Sequence, residues 1–87
     1  MSQSFKVSSK SNANSVAGAL AAHLKEHDSC DISTVGAGAL NQAMKAMIIA
    51  RWFLAPLGIE IVCIPSFEEI LINEEKRTAI HIHIEKK

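Results

Sequence analysis

Residues 33–45 read STVGAGALNQAMK. The β-branched pair Thr34-Val35 runs into Gly36-Ala37-Gly38, and apolar residues at helical spacing follow at once. The stretch predicts a strand, a tight glycine turn and a helix in direct succession. Glycines at such a junction serve either a close-packed turn or an anion site, in which the free N–H groups of the helix start, with Asn41 and Gln42 beside them, hold a phosphate. A dinucleotide fingerprint needs a third glycine where Asn41 stands and an acidic residue about twenty positions on, and a P-loop needs its lysine elsewhere than Lys45. A nucleotide-dependent enzyme is therefore disfavoured, while the plain turn and the single-anion site both stay open.

Outward from this junction the chain resolves into alternating patterns. SFKVS (4–8) reads as a short strand, and SKSNAN (9–14) as a polar loop with Asn12 or Asn14 placed to cap a helix. Residues 15–28 carry Val16, Ala17, Leu20, Ala21 and Leu24 at helical spacing, and CDISTVG (30–36) is the second strand. ALNQAMKAMIIARWFLA (39–55) is a longer helix that Pro56 stops. GIEIVCI (58–64) is a third strand, bent or broken near Pro65. EEILI (68–72) and TAIHIHIE (78–85) flank NEEKR, which reads as a hairpin turn. The order β-α-β-α-β-β describes an α/β two-layer sandwich, two helices packed on a four-stranded mixed sheet, in one domain over residues 1–87.

The 87 residues are 48% hydrophobic and 21% charged, the balance of a folded chain and not of a disordered one. Nine Lys and Arg offset nine Asp and Glu, where proteins that grip nucleic acid through phosphates usually carry an excess of positive charge. One Trp, three Phe and no Tyr supply poor stacking platforms for single strands. Cys30 and Cys63 stand far apart outside any Cys-x-x-Cys motif and are read as reduced thiols. With no apolar leader in MSQSFKVSS and no apolar run of membrane-spanning length, the expected location is the cytoplasm, away from membranes.

The second helix is apolar nearly all round. Leu40, Ala43, Met44, Met47, Ile48 and Leu54 are assigned to the sheet side, and Ala46, Ile49 and Phe53 to the opposite side, with Asn41, Lys45 and Trp52 as a narrow polar stripe. A helix of this kind buries its second face as well, so a homodimer or higher homo-oligomer is expected, with Ile49 and Phe53 near the contact. Arg51 lies within the apolar pattern, either complementing the helix C-terminus or answering a buried carboxylate.

His23 and His27 are spaced i, i+4 on the first helix, and His81 and His83 point to one side of the last strand. No carboxylate or thiolate spacing accompanies them, so structural or surface roles are preferred and no metal or cofactor is assigned. Glu68 and Glu69, adjacent in a strand, point to opposite faces and cannot act as a pair. No arrangement for nucleophilic or acid–base catalysis is found.

The blocks FKVSSKSNANSVAGALAAHL, TVGAGALNQAMKAMIIAR, IVCIPSFEEI and RTAIHIHIE resemble the stage V sporulation protein S family of bacteria over about residues 5–85. The resemblance implies an Alba-like fold and a non-enzymatic regulator of sporulation or cell division. Alba proteins are dimeric binders of chromatin and RNA, so it implies contact with DNA or RNA. Carried onto this chain, the first loop supplies Lys10, Ser11, Asn12 and Asn14. The start of the second helix supplies Gly38, Asn41, Gln42 and Lys45, and the hairpin tip supplies Lys76 and Arg77. Two departures stand out: Ala37 and Ala39 flank the glycine where Alba proteins carry basic residues, and Glu74 and Glu75 offset the two cations of the tip. Nucleic-acid binding on these terms is weak and salt-dependent. The rival expectation is a protein–protein adaptor that uses the apolar outer face of the second helix, and a small-anion site at the turn from Gly36 to Asn41 is a third.

Overall fold

Strand formation follows the alternation of the sequence, and helix formation its capped apolar runs. A computed structural model describes residues 3–87, in the order β1 (Gln3–Val7), α1 (Ala13–Glu26), β2 (Ser29–Thr34), α2 (Ala37–Leu54), a short 3₁₀ turn (Ala55–Leu57), β3 (Ile61–Ile72) and β4 (Glu75–Lys86). The strands form one sheet in the order β1-β2-β4-β3. β1 and β2 are parallel, whereas β4 runs antiparallel to both β2 and β3. The sheet is thus mixed, as expected.

Register sorts the strand residues into two faces. Phe5 and Val7 of β1, Cys30, Ile32 and Thr34 of β2, and Ile80, Ile82 and Ile84 of β4 line up on one face. Leu20 and Leu24 of α1 and Met47 and Leu54 of α2 join them in the core. Thr34 is buried there because its hydroxyl donates to the Ile80 carbonyl at 3.1 Å. The opposite face carries Asp31, Ser33, His81, His83 and Glu85, and no helix covers it.

Helix starts follow local chemistry. Asn12 caps α1, its Oδ1 accepting from the Ser15 amide at 2.9 Å, so the helix begins two residues earlier than expected. Gly36 precedes α2 at φ 89°, a conformation that admits glycine with little strain.

Three expectations change. β3 does not break at Pro65; it is one twelve-residue strand. It is an edge strand, paired only with β4, where a missing N–H costs no ladder bond on the solvent side. The turn in NEEKR is two residues, Asn73 and Glu74, both at positive φ (51° and 67°), while Glu75, Lys76 and Arg77 belong to β4. On α2, Ala46 is fully buried and not on an outer face; with Ala39, Ala43 and Ala50 it forms a strip of small buried residues. Met44 and Ile48 do lie on the sheet side, lining a groove against β3 that is open enough to leave them 48% and 47% exposed.

β2 ends at Thr34, opposite Ile80, so the hairpin beyond the Phe67–Ile80 pair is joined only to itself in the ladder and projects as an arm. The arm stretches the molecule to 43 × 25 × 16 Å. Two-residue turns with positive φ at both positions favour glycine at the second. Glu74→Gly is therefore expected to stabilise the protein by about 0.5–1 kcal/mol, read as a higher urea midpoint at unchanged slope.

Candidate nucleic-acid interface

The first loop is built from its own hydroxyls. Ser11 Oγ accepts from the Ser8 amide at 2.9 Å, Ser8 Oγ accepts from the Lys10 amide at 3.2 Å, and the Ser11 amide donates to the Ser8 carbonyl at 3.1 Å. This turn presents Lys10 to solvent. Ser11 and Asn12 thus shape the loop and cap α1, while Asn14 is exposed in the first turn of that helix.

The loop is docked on the start of α2. A Cβ on Gly38 would lie 2.9 Å from Ser9 Cβ, so only glycine permits this approach. One turn on, Gln42 Nε2 donates to the Ser11 carbonyl at 2.7 Å. Gly38 and Gln42 therefore hold the loop, and Asn41 and Lys45 stand exposed on the same two turns of helix. Ala37 is exposed but Ala39 is 2% exposed, so a long basic side chain could not replace Ala39 without disturbing the core.

The arm approaches the same end of the sheet. Ile70, Leu71 and Ile72 share a cleft of about 450 Å³ with Lys6, Ser8, Ser9 and Val35. Lys76 pairs with Leu71 and Arg77 with Ile70 across the hairpin, so the two cations project from opposite faces of the arm. Sequence reasoning missed Lys6; its signal is the alternation of FKV, which turns it away from the core while Phe5 and Val7 enter it.

Charge is less evenly spread than its zero sum suggests. The stretches 3–25 and 32–59 hold no Asp or Glu but carry Lys6, Lys10, Lys25, Lys45 and Arg51. The nine carboxylates fall at Glu26, Asp28 and Asp31 and from Glu60 onward. Among the described residues, no ion pair engages Lys10, Lys45, Lys76 or Arg77, and Glu74 and Glu75 do not neutralise the tip by direct pairing.

Between α2 and β3 lies a second feature, an apolar groove of about 660 Å³ lined by Met44, Met47, Ile48, Cys63, Pro65 and Ile80. At its rim Arg51 binds Glu60 bidentately, with Nε and Nη2 each 3.0 Å from a carboxylate oxygen. The partner carboxylate is thus intramolecular and exposed, where the sequence left open a buried one. The bond to Arg51 holds the Glu60 carboxyl below the usual range. Cys63 lies in the groove with its Sγ 3.4 Å from Met47 Sδ. Burial raises the Cys63 thiol, with Arg51 opposing, and burial beside Asp31 pushes Cys30 up to about 12, so both thiols stay protonated at neutral pH. Ile49 is partly buried against its own core, and Phe53 is 49% exposed.

The remaining histidines have structural partners. His23 Nε2 lies 2.9 Å from the Ser29 carbonyl, and the ring stacks on His27 at 4.3 Å and meets Phe5 edge-on.

Two helices on a β1-β2-β4-β3 sheet with a projecting hairpin define an Alba-like fold. Alba from Thermoplasma volcanium superposes with a TM-score of 0.67, covering 98% of this chain and 99% of that one at 14% sequence identity. The family model for Stage V sporulation protein S (SpoVS) matches residues 3–87, and the chain belongs to that family, whose name ties it to sporulation.

Gly38→Ala is expected to cost about 1–3 kcal/mol of stability and to shift the amide resonances of Ser8 to Asn12, because the new methyl must displace the loop. Gln42→Ala is expected to perturb the same resonances at a cost of about 1 kcal/mol, the worth of one hydrogen bond.

Proposed function

We propose that this chain is a non-enzymatic regulatory protein of the bacterial cytoplasm that contacts DNA or RNA as a homodimer. The observation that carries the reading is the docking of the first loop on α2 through Gly38 and Gln42. It joins the loop bearing Lys10 to the helix turns bearing Asn41 and Lys45, within stretches free of carboxylates. The first N–H groups of α2, which have no carbonyl to meet within the helix, add a site for one backbone phosphate. Lys76 and Arg77 extend the contact from the arm, and Lys6 sits in the cleft between arm and loop. Five cations spread over loop, helix and arm favour backbone contact over base reading, so affinity is modest and sequence-tolerant.

A second copy completes the assembly in this reading. Met44 and Ile48 stay about half exposed beside the groove, and Phe67 on the adjoining strand is 81% exposed. A small domain covers such a surface most simply with the same surface of its twin, since a two-fold contact is self-complementary. The contact then centres on Met44 and Ile48, with Phe53 on its flank and Ile49 behind it. No helix among the described residues is long and apolar enough to cross a membrane.

The adaptor reading draws on the same groove. Its apolar lining and the chain's zero net charge suit a protein partner as well as a twin.

Fluorescence anisotropy with labelled duplex DNA, single-stranded DNA and RNA at low and physiological salt tests the first reading. Binding is expected to weaken steeply with salt. Lys10→Ala and Lys45→Ala are each expected to weaken it and to lower the salt slope by about 0.9 for every phosphate that is no longer neutralised. Absence of binding at low salt by an intact dimer would leave the adaptor reading in its place. Ile48→Glu, which alters a half-exposed side chain, is expected to yield a folded monomer by sedimentation velocity.

A further inference from the structure

The open face of the sheet carries a polar chain that satisfies itself. Asp31 Oδ1 lies 2.8 Å from both His81 Nε2 and His83 Nδ1, and His83 Nε2 lies 2.9 Å from Glu85 Oε1. Ser33, at the other end of β2 on the same face, is bonded across to the arm. Its Oγ donates to Glu68 Oε1, and Glu68 pairs with Ala79 one step beyond the end of the β2–β4 ladder. The first pair of the arm is thereby tied to β2, and Ser33 is also part of the cleft that the arm shares with the first loop.

That cleft lies where the parallel strands β1 and β2 present their carboxyl ends and the loops that follow them. Ligands of open α/β sheets bind outside such ends. Its volume of about 450 Å³ is in the range of small-molecule sites. The arm brings Ile70, Leu71 and Ile72 to it, and the opposite side has Val35 after β2 and Ser8 and Ser9 after β1. Lys6, the register partner of Ser33, is the one charged residue among the described lining. No ion pair engages Lys6 among the described residues. Leu71 is 71% exposed and Ile72 37%. Apolar side chains held out on an arm, beside a cavity and away from the core, mark a contact surface.

We propose that this cleft takes one nucleotide unit whose base is unpaired, the base lying between the arm and Val35 and its phosphate meeting Lys6. The inference rests on the nucleic-acid reading above and makes it more specific. A base inside a duplex is stacked and paired and enters such a cleft only by leaving the helix, so the protein prefers single strands. No aromatic side chain is in the lining, so branched aliphatic side chains hold the base where other proteins use ring stacking. Ser9, whose hydroxyl has no partner among the described residues, can donate or accept and suits the edge of any base. The charge is complementary, a phosphate against a lysine with no acid in the lining. A contact with the backbone of a duplex alone would leave the apolar side of the cleft unused, and a purely apolar ligand would leave Lys6 unanswered. The cleft shares no lining residue with the groove between α2 and β3, so a second copy seated in the groove uses none of these side chains.

Methyl ¹H–¹³C spectra of protein labelled at Ile, Leu and Val test the proposal. The titrants are a short single-stranded oligonucleotide, the duplex of the same sequence, and a nucleoside monophosphate alone. The methyls of Val35, Ile70, Leu71 and Ile72 are expected to shift with the single strand and to show intermolecular NOEs to base protons. By anisotropy at physiological salt, the single strand is expected to bind about tenfold more tightly than the duplex. Leu71→Ser, at an exposed position, is expected to weaken the single strand by about tenfold and to leave the duplex unchanged. Polymer binding that Lys10→Ala weakens, with silent cleft methyls and equal affinity for single strand and duplex, would overturn the cleft site and leave the nucleic-acid reading standing. Cleft methyls that respond to the monophosphate, with no polymer bound, would uphold the cleft site and overturn that reading. Silence toward all three would overturn both.

Discussion

The structure depends on the alternation Ala79-Ile80-His81-Ile82-His83-Ile84 in β4, the strand that pairs with both β2 and β3. A strand with two hydrogen-bonded neighbours has no free edge, so its register fixes theirs, and a slip of one residue would exchange its two faces. Here that slip would move three isoleucines out of the core and drive two histidines under the helices. The cost of burying the imidazoles with no partner there excludes it. The core on one face and the polar chain on the other are two consequences of the same period of two.

The element order and the mixed sheet were legible because strand and helix periods alternate cleanly and capping residues mark the boundaries. Pro65 misled because a proline reads as a break until the strand is known to be an edge, and strand order is a tertiary fact. Ala46 of α2 was misread for a related reason. Alanines at 39, 43, 46 and 50 fit against either a neighbouring helix or a sheet, and hydrophobicity alone does not distinguish them from Met44 and Ile48. The small residues are buried where backbones approach closely, and the large ones remain at the groove.

For the candidate site, the sequence marks residues but not what each one touches. The resemblance put Ser11, Asn12, Gly38 and Gln42 among the binding residues, yet their bonds point inward, to the loop turn, the α1 cap and the loop–helix contact. Polar residues rich in turn propensity look alike in sequence whether they hold a loop or a ligand. What separates them is the partner of each oxygen and nitrogen, which only the folded chain supplies. The partner of the two histidines was hidden for the same reason: Asp31 lies some fifty positions away, and only the β2–β4 register brings them together.

The distribution of carboxylates joins these observations. Glu60 is held by Arg51 at the groove rim, Glu68 by Ser33, and Asp31 and Glu85 by the open-face histidines. Four of the nine acids thus have fixed partners away from the first loop and the start of α2, and none lies within residues 32–59. A zero net charge averages over the molecule, whereas a polyanion in contact responds to charge within about 8–10 Å, the screening length at ordinary salt. Over that distance the loop and the first turns of α2 present lysines without compensating acids in their own segments. Composition therefore understates the positive charge of this surface. It does not understate it by much, because so few cations are there.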